Sequence, residues 1–145
     1  MLVVAFIAAC KKTPSEKEQA RMDREEIEEY ITKNDLDADT TASGLYYVIN
    51  NIGTGEFPNE DDDVVVRYKG YFTSGSVFDQ SDDIGAQFNL QQVIAGWTEG
   101  IPLFRQGGEG VLLIPSRLGY GPQGNSSIPG GSVLIFDIKL LDIVN

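Results

Sequence analysis

The chain has 145 residues, enough for one domain of ordinary size with some left over for a terminal arm, and at 41% apolar with 10% aromatic residues it can fill a core. Disorder throughout and collagen-like composition are excluded. Lys and Arg number 11 against 22 Asp and Glu, a net charge of -11 that repels a phosphate backbone, while the absence of His and a single Cys exclude His-based triads, zinc sites and an internal disulfide.

Met1 to Ala9 is an apolar run leading into Cys10, and Ile7-Ala8-Ala9-Cys10 resembles a bacterial lipoprotein box. A spanning helix needs roughly 20 apolar residues, so this run is too short for one. A start upstream of Met1 would supply the positively charged segment such signals carry. Cleavage and acylation at Cys10 would hold the chain on a membrane by acyl chains alone, and Lys11-Lys12 offers no acidic cue for inner-membrane retention. The plainer reading of the same run is a buried strand ending in a core Cys.

Residues 11–42 read as a helical arm and linker, and 43–145 as the globular domain, which carries nearly all the net charge. Thr13-Pro14-Ser15-Glu16 signals a helix start, with Thr13 as cap, Pro14 at the first helical position and Glu16 closing a capping box. Ala20, Ile27, Tyr30 and Ile31 fall on one stripe, with Glu25, Glu26, Glu28 and Glu29 around it, the pattern of either a solvated spacer or a docking helix. Asn34 to Ser43, before Gly44, reads as linker.

From Leu45 the period changes to two. Leu45, Tyr47 and Ile49 share one side, and Gly53-Thr54-Gly55 and Pro58-Asn59 mark turns. In Asp63 to Phe72, Val64, Val66, Tyr68 and Phe72 share a face that Arg67, Lys69 and Tyr71 avoid, which directs Tyr68 to the core side. Ala86 to Leu90, Val111 to Ile114 and Ser132 to Asp142 continue the strands. The last sets Leu134, Phe136, Ile138 and Leu140 against Ile135, Asp137, Lys139 and Leu141. Val93 to Leu103 breaks the alternation and has room for one short helix limited by Gly96, Gly100 and Pro102. The expected architecture is α+β, an antiparallel sheet with one helix laid on it and an N-terminal helical extension.

Tyr68, Phe78, Phe88, Trp97, Tyr120 and Phe136 are aromatic residues near loops, with few polar groups suited to catalysis beside them. They are either the ordinary core of a small β-rich domain or a pocket for something apolar. Spacing alone does not group them around Asp79.

The order of blocks is more specific: Val64-Val65-Val66-Arg67-Tyr68-Lys69-Gly70, Val77-Phe78-Asp79-Gln80-Ser81, Phe88-Asn89-Leu90, Val93-Ile94-Ala95-Gly96-Trp97-Thr98-Glu99-Gly100, Leu113-Ile114-Pro115-Ser116-Arg117-Leu118-Gly119-Tyr120-Gly121, then Ile128-Pro129 before Leu134-Ile135-Phe136-Asp137. Over roughly Ser43 to Val144 the chain resembles an FKBP-type peptidyl-prolyl cis-trans isomerase. The resemblance implies a strongly twisted antiparallel sheet wrapped around the short helix, with the pocket between them. Trp97 would be the floor, and Phe78, Phe88, Val93, Ile94, Ile128 and Phe136 would contact substrate. Tyr68, Asp79 and Tyr120 would be the catalytic polar groups: Asp79 as a buried carboxylate accepting from Tyr68, and Tyr120 bonding a substrate carbonyl from a loop. The backbone N–H of Ile94 would bond a second carbonyl.

No metal or cofactor is implied. The expected partners are proline-containing polypeptides and macrolide inhibitors, the expected reaction is X-Pro rotation in exported proteins, and the expected place is a bacterial cell envelope, as an outer-membrane lipoprotein facing the periplasm and anchored at Cys10. The chain departs from the family pattern at Gly119, where Ala is usual, at Gly130-Gly131, which replaces a second Pro and its neighbour, and at Ser81 to Gln87, where Asp82 and Asp83 stand without a basic residue. A non-catalytic peptide-binding module or holdase using the same pocket is the alternative, one that would not require Tyr68, Asp79, Trp97, Tyr120 and Phe136 together.

Overall fold

The structure is a computed structural model and describes residues 12–144; Cys10 and the apolar run before it lie outside the described residues. Helix α1 spans Glu16–Lys33. Its cap is Ser15, two residues later than the sequence suggests: the Ser15 hydroxyl accepts from the Glu18 N–H and the Glu18 carboxylate accepts from the Ser15 N–H. The Ser15/Glu18 pair satisfies the capping-box spacing as well as Thr13/Glu16 does, and Pro14 falls before the cap rather than inside the helix.

The strands that follow are β1 Asp39–Thr40, β2 Tyr46–Asn51, β3 Asp63–Tyr71, β4 Val77–Gln80, β5 Ala86–Asn89, β6 Glu109–Ile114 and β7 Leu134–Val144. They form one antiparallel sheet in the order β1-β2-β6-β7-β3-β4, with β5 also paired to β3. Two of these strands escape the alternation pattern. β1 lies inside the expected linker and consists of two residues paired to Tyr46 and Tyr47, and β4 is a four-residue strand with Tyr71 opposite Val77. β1, at two residues, has too few positions to display a period, and Val77-Phe78-Asp79-Gln80 does not alternate apolar with polar residues as Ala86-Gln87-Phe88-Asn89 does.

β3 is the pivot. One edge pairs with β7 along its whole length, Val64 opposite Ile143 and Gly70 opposite Phe136. The other edge is shared, β5 taking Asp63 to Val66 and β4 taking Lys69 to Tyr71. Between them Ser81 fills the gap, its hydroxyl accepting from the Tyr68 N–H at 3.0 Å and its N–H donating to the Tyr68 carbonyl at 3.0 Å. This break in pairing lets the sheet edge bend around Tyr68.

Helix α2, Ala95–Gly100, continues into a 3-10 turn at Ile101–Leu103 and lies on the inner face of the sheet. Two glycines allow the approach: a Cβ on Gly96 would stand 2.6 Å from Ile114 Cγ2, and one on Gly100 would stand 2.8 Å from Leu112 Cδ1. Glycine ordinarily costs a helix interior about 1 kcal/mol against Ala; here it admits the helix to the sheet. The inner core joins Val64, Val66, Trp97, Ile101, Phe104, Leu112, Ile114, Leu134, Phe136, Ile138 and Leu140.

The outer face is covered as well. α1 packs Ile27 onto Val48, Leu113, Val133 and Ile135, with Tyr30, Ile31 and Leu36 around them. Of the two readings of its stripe, docking is the one realised. The structure is the twisted antiparallel sheet around a short helix, with an N-terminal helical extension, that the block order implies.

Candidate active site

Between α2 and the concave sheet face lies a cavity of about 650 Å³. All ten expected site residues line it: Tyr68, Phe78, Asp79, Phe88, Val93, Ile94, Trp97, Tyr120, Ile128 and Phe136. They come from six parts of the chain, namely β3, β4, β5, the entry to α2, the long loop from Pro115 to Val133, and β7. Gln92, Asn125 and Ser127 also line it, and these the block order does not single out. The signal for Asn125 was local: its side-chain oxygen accepts from the Ser127 and Ile128 N–H groups, an Asx turn that sets Ile128 at the cavity.

Trp97 is the floor, only 3% exposed. Three rings meet it edge to face, Tyr68 at 5.2 Å and 83°, Phe88 at 5.1 Å and 80°, and Phe136 at 5.3 Å and 80°, and Phe78 in turn stands against Phe136 at 5.5 Å and 86°. These are the favoured quadrupole geometries, so the rings fix one another's tilt. Gly70, directly opposite Phe136 on β3, makes the packing possible, because a Cβ there would lie 2.7 Å from both Phe136 and Phe78. The indole N–H of Trp97 is buried and has no acceptor among the described residues. The floor of the cavity is therefore aromatic with one buried donor in it.

The polar groups sit at the rim. The Tyr68 hydroxyl donates to Asp79 Oδ2 at 2.8 Å. Burial first, then the Asp79 carboxylate, pushes the Tyr68 phenol up from its ordinary 10 to about 12, which keeps it a donor across neutral pH. Asp79 itself is exposed, not the buried carboxylate the resemblance implies, since β4 is an edge strand and its side chain stands in solvent at the cavity mouth. Among the described residues the buried carboxylate is Asp23 of α1, at 2% exposure.

Tyr120 is 41% exposed and projects from the Pro115–Val133 loop. Ile94 caps α2 with its carbonyl, which accepts from the Trp97 and Thr98 N–H groups, while its own N–H faces no acceptor among the described residues. Asp82 and Asp83 are not among the residues lining the cavity; Asp83 faces a separate groove with Arg67, Lys69 and Lys139. Glu60 lines an adjoining groove that shares Val93 with the cavity.

The cavity is an aromatic pocket open to solvent, with the Tyr68 hydroxyl, the Asp79 carboxylate and Tyr120 at its rim. The sequence profile described as FKBP-type peptidyl-prolyl cis-trans isomerase matches residues 54–141. A probable FKBP-type peptidyl-prolyl cis-trans isomerase FkpA of Neisseria meningitidis serogroup B is 41% identical over 138 residues, covering 92% of this chain and 51% of that protein. A probable FKBP-type peptidyl-prolyl cis-trans isomerase of Haemophilus influenzae is 42% identical over 142 residues, 95% of this chain and 58% of that one. Among solved structures, FkpA from Escherichia coli superposes with a TM-score of 0.77 at 38% identity, covering 88% of this chain and 62% of that one. The peptidyl-prolyl cis-trans isomerase of Pseudomonas syringae pv. tomato gives 0.79 at 28% identity, covering 92% and 99%. The chain belongs to the FKBP-type peptidyl-prolyl cis-trans isomerase family. It spans about half the length of the curated relatives it matches.

Proposed function

We propose that this chain accelerates cis-trans rotation about X-Pro bonds in polypeptides, with Tyr68, Asp79 and Tyr120 as its catalytic polar groups and Phe78, Phe88, Val93, Ile94, Trp97, Ile128 and Phe136 as the substrate-binding wall. The observation that carries the reading is the aromatic cavity floored by Trp97, with the Tyr68–Asp79 pair and Tyr120 at its rim.

No covalent bond is broken in this reaction, so no nucleophile is required. The barrier of about 20 kcal/mol is amide resonance, and the planar amide that resonance stabilises is more polar than the twisted one. Stripping water from the amide inside an apolar slot therefore raises the ground state more than the transition state. The proline ring packs over Trp97, between Tyr68, Phe88 and Phe136. The Ile94 N–H and the Tyr120 hydroxyl hold the flanking carbonyls, which fixes the two sides of the rotating bond relative to each other. The Tyr68–Asp79 bond holds the Tyr68 ring upright against Trp97 and leaves one carboxylate oxygen free at the mouth. Lowering the barrier by about 7 kcal/mol would accelerate exchange roughly 10⁵-fold.

The same reading extends to place and partners. The chain acts on exported, proline-containing proteins at a bacterial cell envelope, as an outer-membrane lipoprotein facing the periplasm and held by acylated Cys10. What supports this is the Ile7-Ala8-Ala9-Cys10 box and the Lys11-Lys12 that follows. No helix of the described residues is long and apolar enough to cross a membrane. Macrolides of suitable shape are its inhibitors, entering by the aromatic slot. Residues 1–10 are the signal segment, 11–42 the arm and linker, and 43–145 the isomerase domain.

A protease-coupled assay of X-Pro isomerisation tests the activity. Acceleration well above buffer, abolished by a macrolide, is the expected result; a rate equal to buffer with peptide still bound would leave a non-catalytic binding module or holdase. Mass spectrometry of the mature envelope protein tests the anchor, and an unmodified Cys10 would remove it.

A further inference from the structure

We propose that Asp23 and Gln19, one turn apart on α1, are positioning residues for Tyr120, so that the helical arm sets the loop that faces substrate. The chemistry of Asp23 points there first. A carboxylate buried to this degree is costly unless its oxygens are hydrogen-bonded. Asp23 Oδ2 accepts from the Ser116 N–H at 2.8 Å and from the Ser116 hydroxyl at 2.5 Å, and Oδ1 accepts from Gln19 Nε2 at 2.7 Å. Ser116 opens the loop that carries Tyr120.

The bonds continue through that loop and return to the helix. The Ser116 carbonyl accepts from the Gly119 N–H at 3.0 Å and from the Gly121 N–H at 2.8 Å, the two residues that flank Tyr120. The Gly121 carbonyl accepts from the Gly131 N–H at 2.9 Å, and the Gly131 carbonyl accepts from Gln19 Nε2 at 3.3 Å. The ring Asp23, Ser116, Gly121, Gly131, Gln19 is thus closed, with both ends of a sixteen-residue stretch, Ser116 to Gly131, tied to one helix turn. Tyr120 itself is half in solvent, so its backbone decides where its hydroxyl stands.

Gly131 is also where the loop touches the arm. It has φ +74, and a Cβ there would lie 3.1 Å from Gln19 Oε1. The departure at Gly130-Gly131 from the family pattern is thereby given a local reason, a glycine where the Gln19 side chain comes down onto the chain. In contrast, Leu140 lies within β7 and belongs to the inner core, apart from the cluster that α1 packs on, and it makes none of the hydrogen bonds of this ring.

The test uses Asp23→Ala, Asp23→Asn and Gln19→Ala, with Leu140→Val as a destabilised control, and reads amide hydrogen exchange and peptide isomerisation. The activity arm rests on the isomerase reading; the exchange arm does not. For Asp23→Ala the Gly119 and Gly121 amides should exchange at least tenfold faster while β3 and β7 amides stay within twofold. In the same variant kcat/KM should fall at least fivefold, mostly through KM. Asp23→Asn, which keeps an acceptor for Ser116, should recover most of that loss, and Gln19→Ala should show about a threefold fall. Leu140→Val should leave kcat/KM within twofold. Unchanged exchange at Gly119 and Gly121, or a kcat/KM loss equalled by Leu140→Val, would overturn the proposal. Should Asp23→Ala fail to fold, Gln19→Ala, on a partly exposed side chain, decides by the same two criteria. If the parent protein shows no isomerisation at all, the isomerase reading falls and the exchange data alone judge the clamp.

Discussion

Tyr68 joins three roles in one side chain: it walls the cavity, packs on Trp97 and donates to Asp79. Its phenol titrates near 12 in the folded protein and near 10 in an unfolded chain, burial being the larger cause and Asp79 the second. Below pH 10 both states are protonated and the stabilising contribution is complete. Above it the unfolded chain loses its proton first, so stability declines as pH rises toward 12. Tyr71, donating to Asp137 at 2.8 Å, is shifted in the same direction, which makes the difference between wild type and Tyr68→Phe the informative quantity. Urea midpoints of the two should converge between pH 10 and 12; parallel curves would show that the Tyr68 shift has no thermodynamic weight. Asp79→Leu removes the acceptor of this bond, and a charged hydrogen bond is worth about 1.5–3 kcal/mol, so kcat/KM should drop about tenfold or more with the fold intact by circular dichroism. A second residue acts by having no side chain. Gly70→Ala would drive a methyl into Phe78 and Phe136, an overpacking that costs about 1–3 kcal/mol, and thermal melting together with peptide affinity should both register it.

At the level of elements, α1 is held to the sheet by Ile27 and by three polar ties besides Asp23: Glu28 to the Tyr46 hydroxyl at 2.9 Å, Glu26 to the Thr73 hydroxyl at 3.1 Å, and Gln19 to Gly131. Truncating Ile27, fully buried, to Ala should cost about 2–5 kcal/mol, measurable as a shift of the urea midpoint. A loss within about 0.5 kcal/mol would mean that the arm detaches in solution. That α1 is a helix was readable from its stripe; that it docks was not, because four apolar residues on a charged helix suit either outcome. The sign lay elsewhere, in Leu113 and Ile135, apolar residues on the face opposite Leu112 and Phe136. A strand apolar on both faces is covered on both faces. β2, β3, β5, β6, β7 and α2 were legible because their periods run long enough or break where glycine and proline stand. β1 is too short to show one, and β4 runs two apolar residues into two polar ones without alternating. The Asp23–Ser116 contact joins residues 93 positions apart, a distance at which no local pattern operates.

For the molecule as a whole, a net charge of -11 sets a negative field in which a charged peptide approaches the cavity. Asp79 lines the cavity and Glu60 lines the groove adjoining it at Val93, whereas Asp83 lines a separate groove in which Arg67 and Lys139 pair with Glu109. Peptides with Lys flanking X-Pro should therefore exceed matched Glu-flanked peptides in kcat/KM by about two- to fivefold at low salt, the scale of exposed charge pairs. The ratio should move toward one at physiological ionic strength, where the Debye length is about 8 Å, and toward one in Glu60→Gln. A ratio that ignores both salt and Glu60 would assign these carboxylates to solubility alone. The walls of the site were legible as ordered blocks, each carried by its own strand or turn. Gln92, Asn125 and Ser127 were not, because polar loop residues acquire a cavity only when the loop closes. The sheet order carries one more consequence. β7 is the last strand in the chain, yet it lies between β6 and β3 and pairs with both. A polypeptide emerging N-terminus first from the ribosome has nothing to seat between those two strands until residues 134–144 arrive. Until then β3 and β6 each present an unpaired edge, the kind of surface on which nascent chains stick to one another. The eleven residues of β7 act as a keystone, so that vectorial synthesis leaves this sheet open until they are delivered.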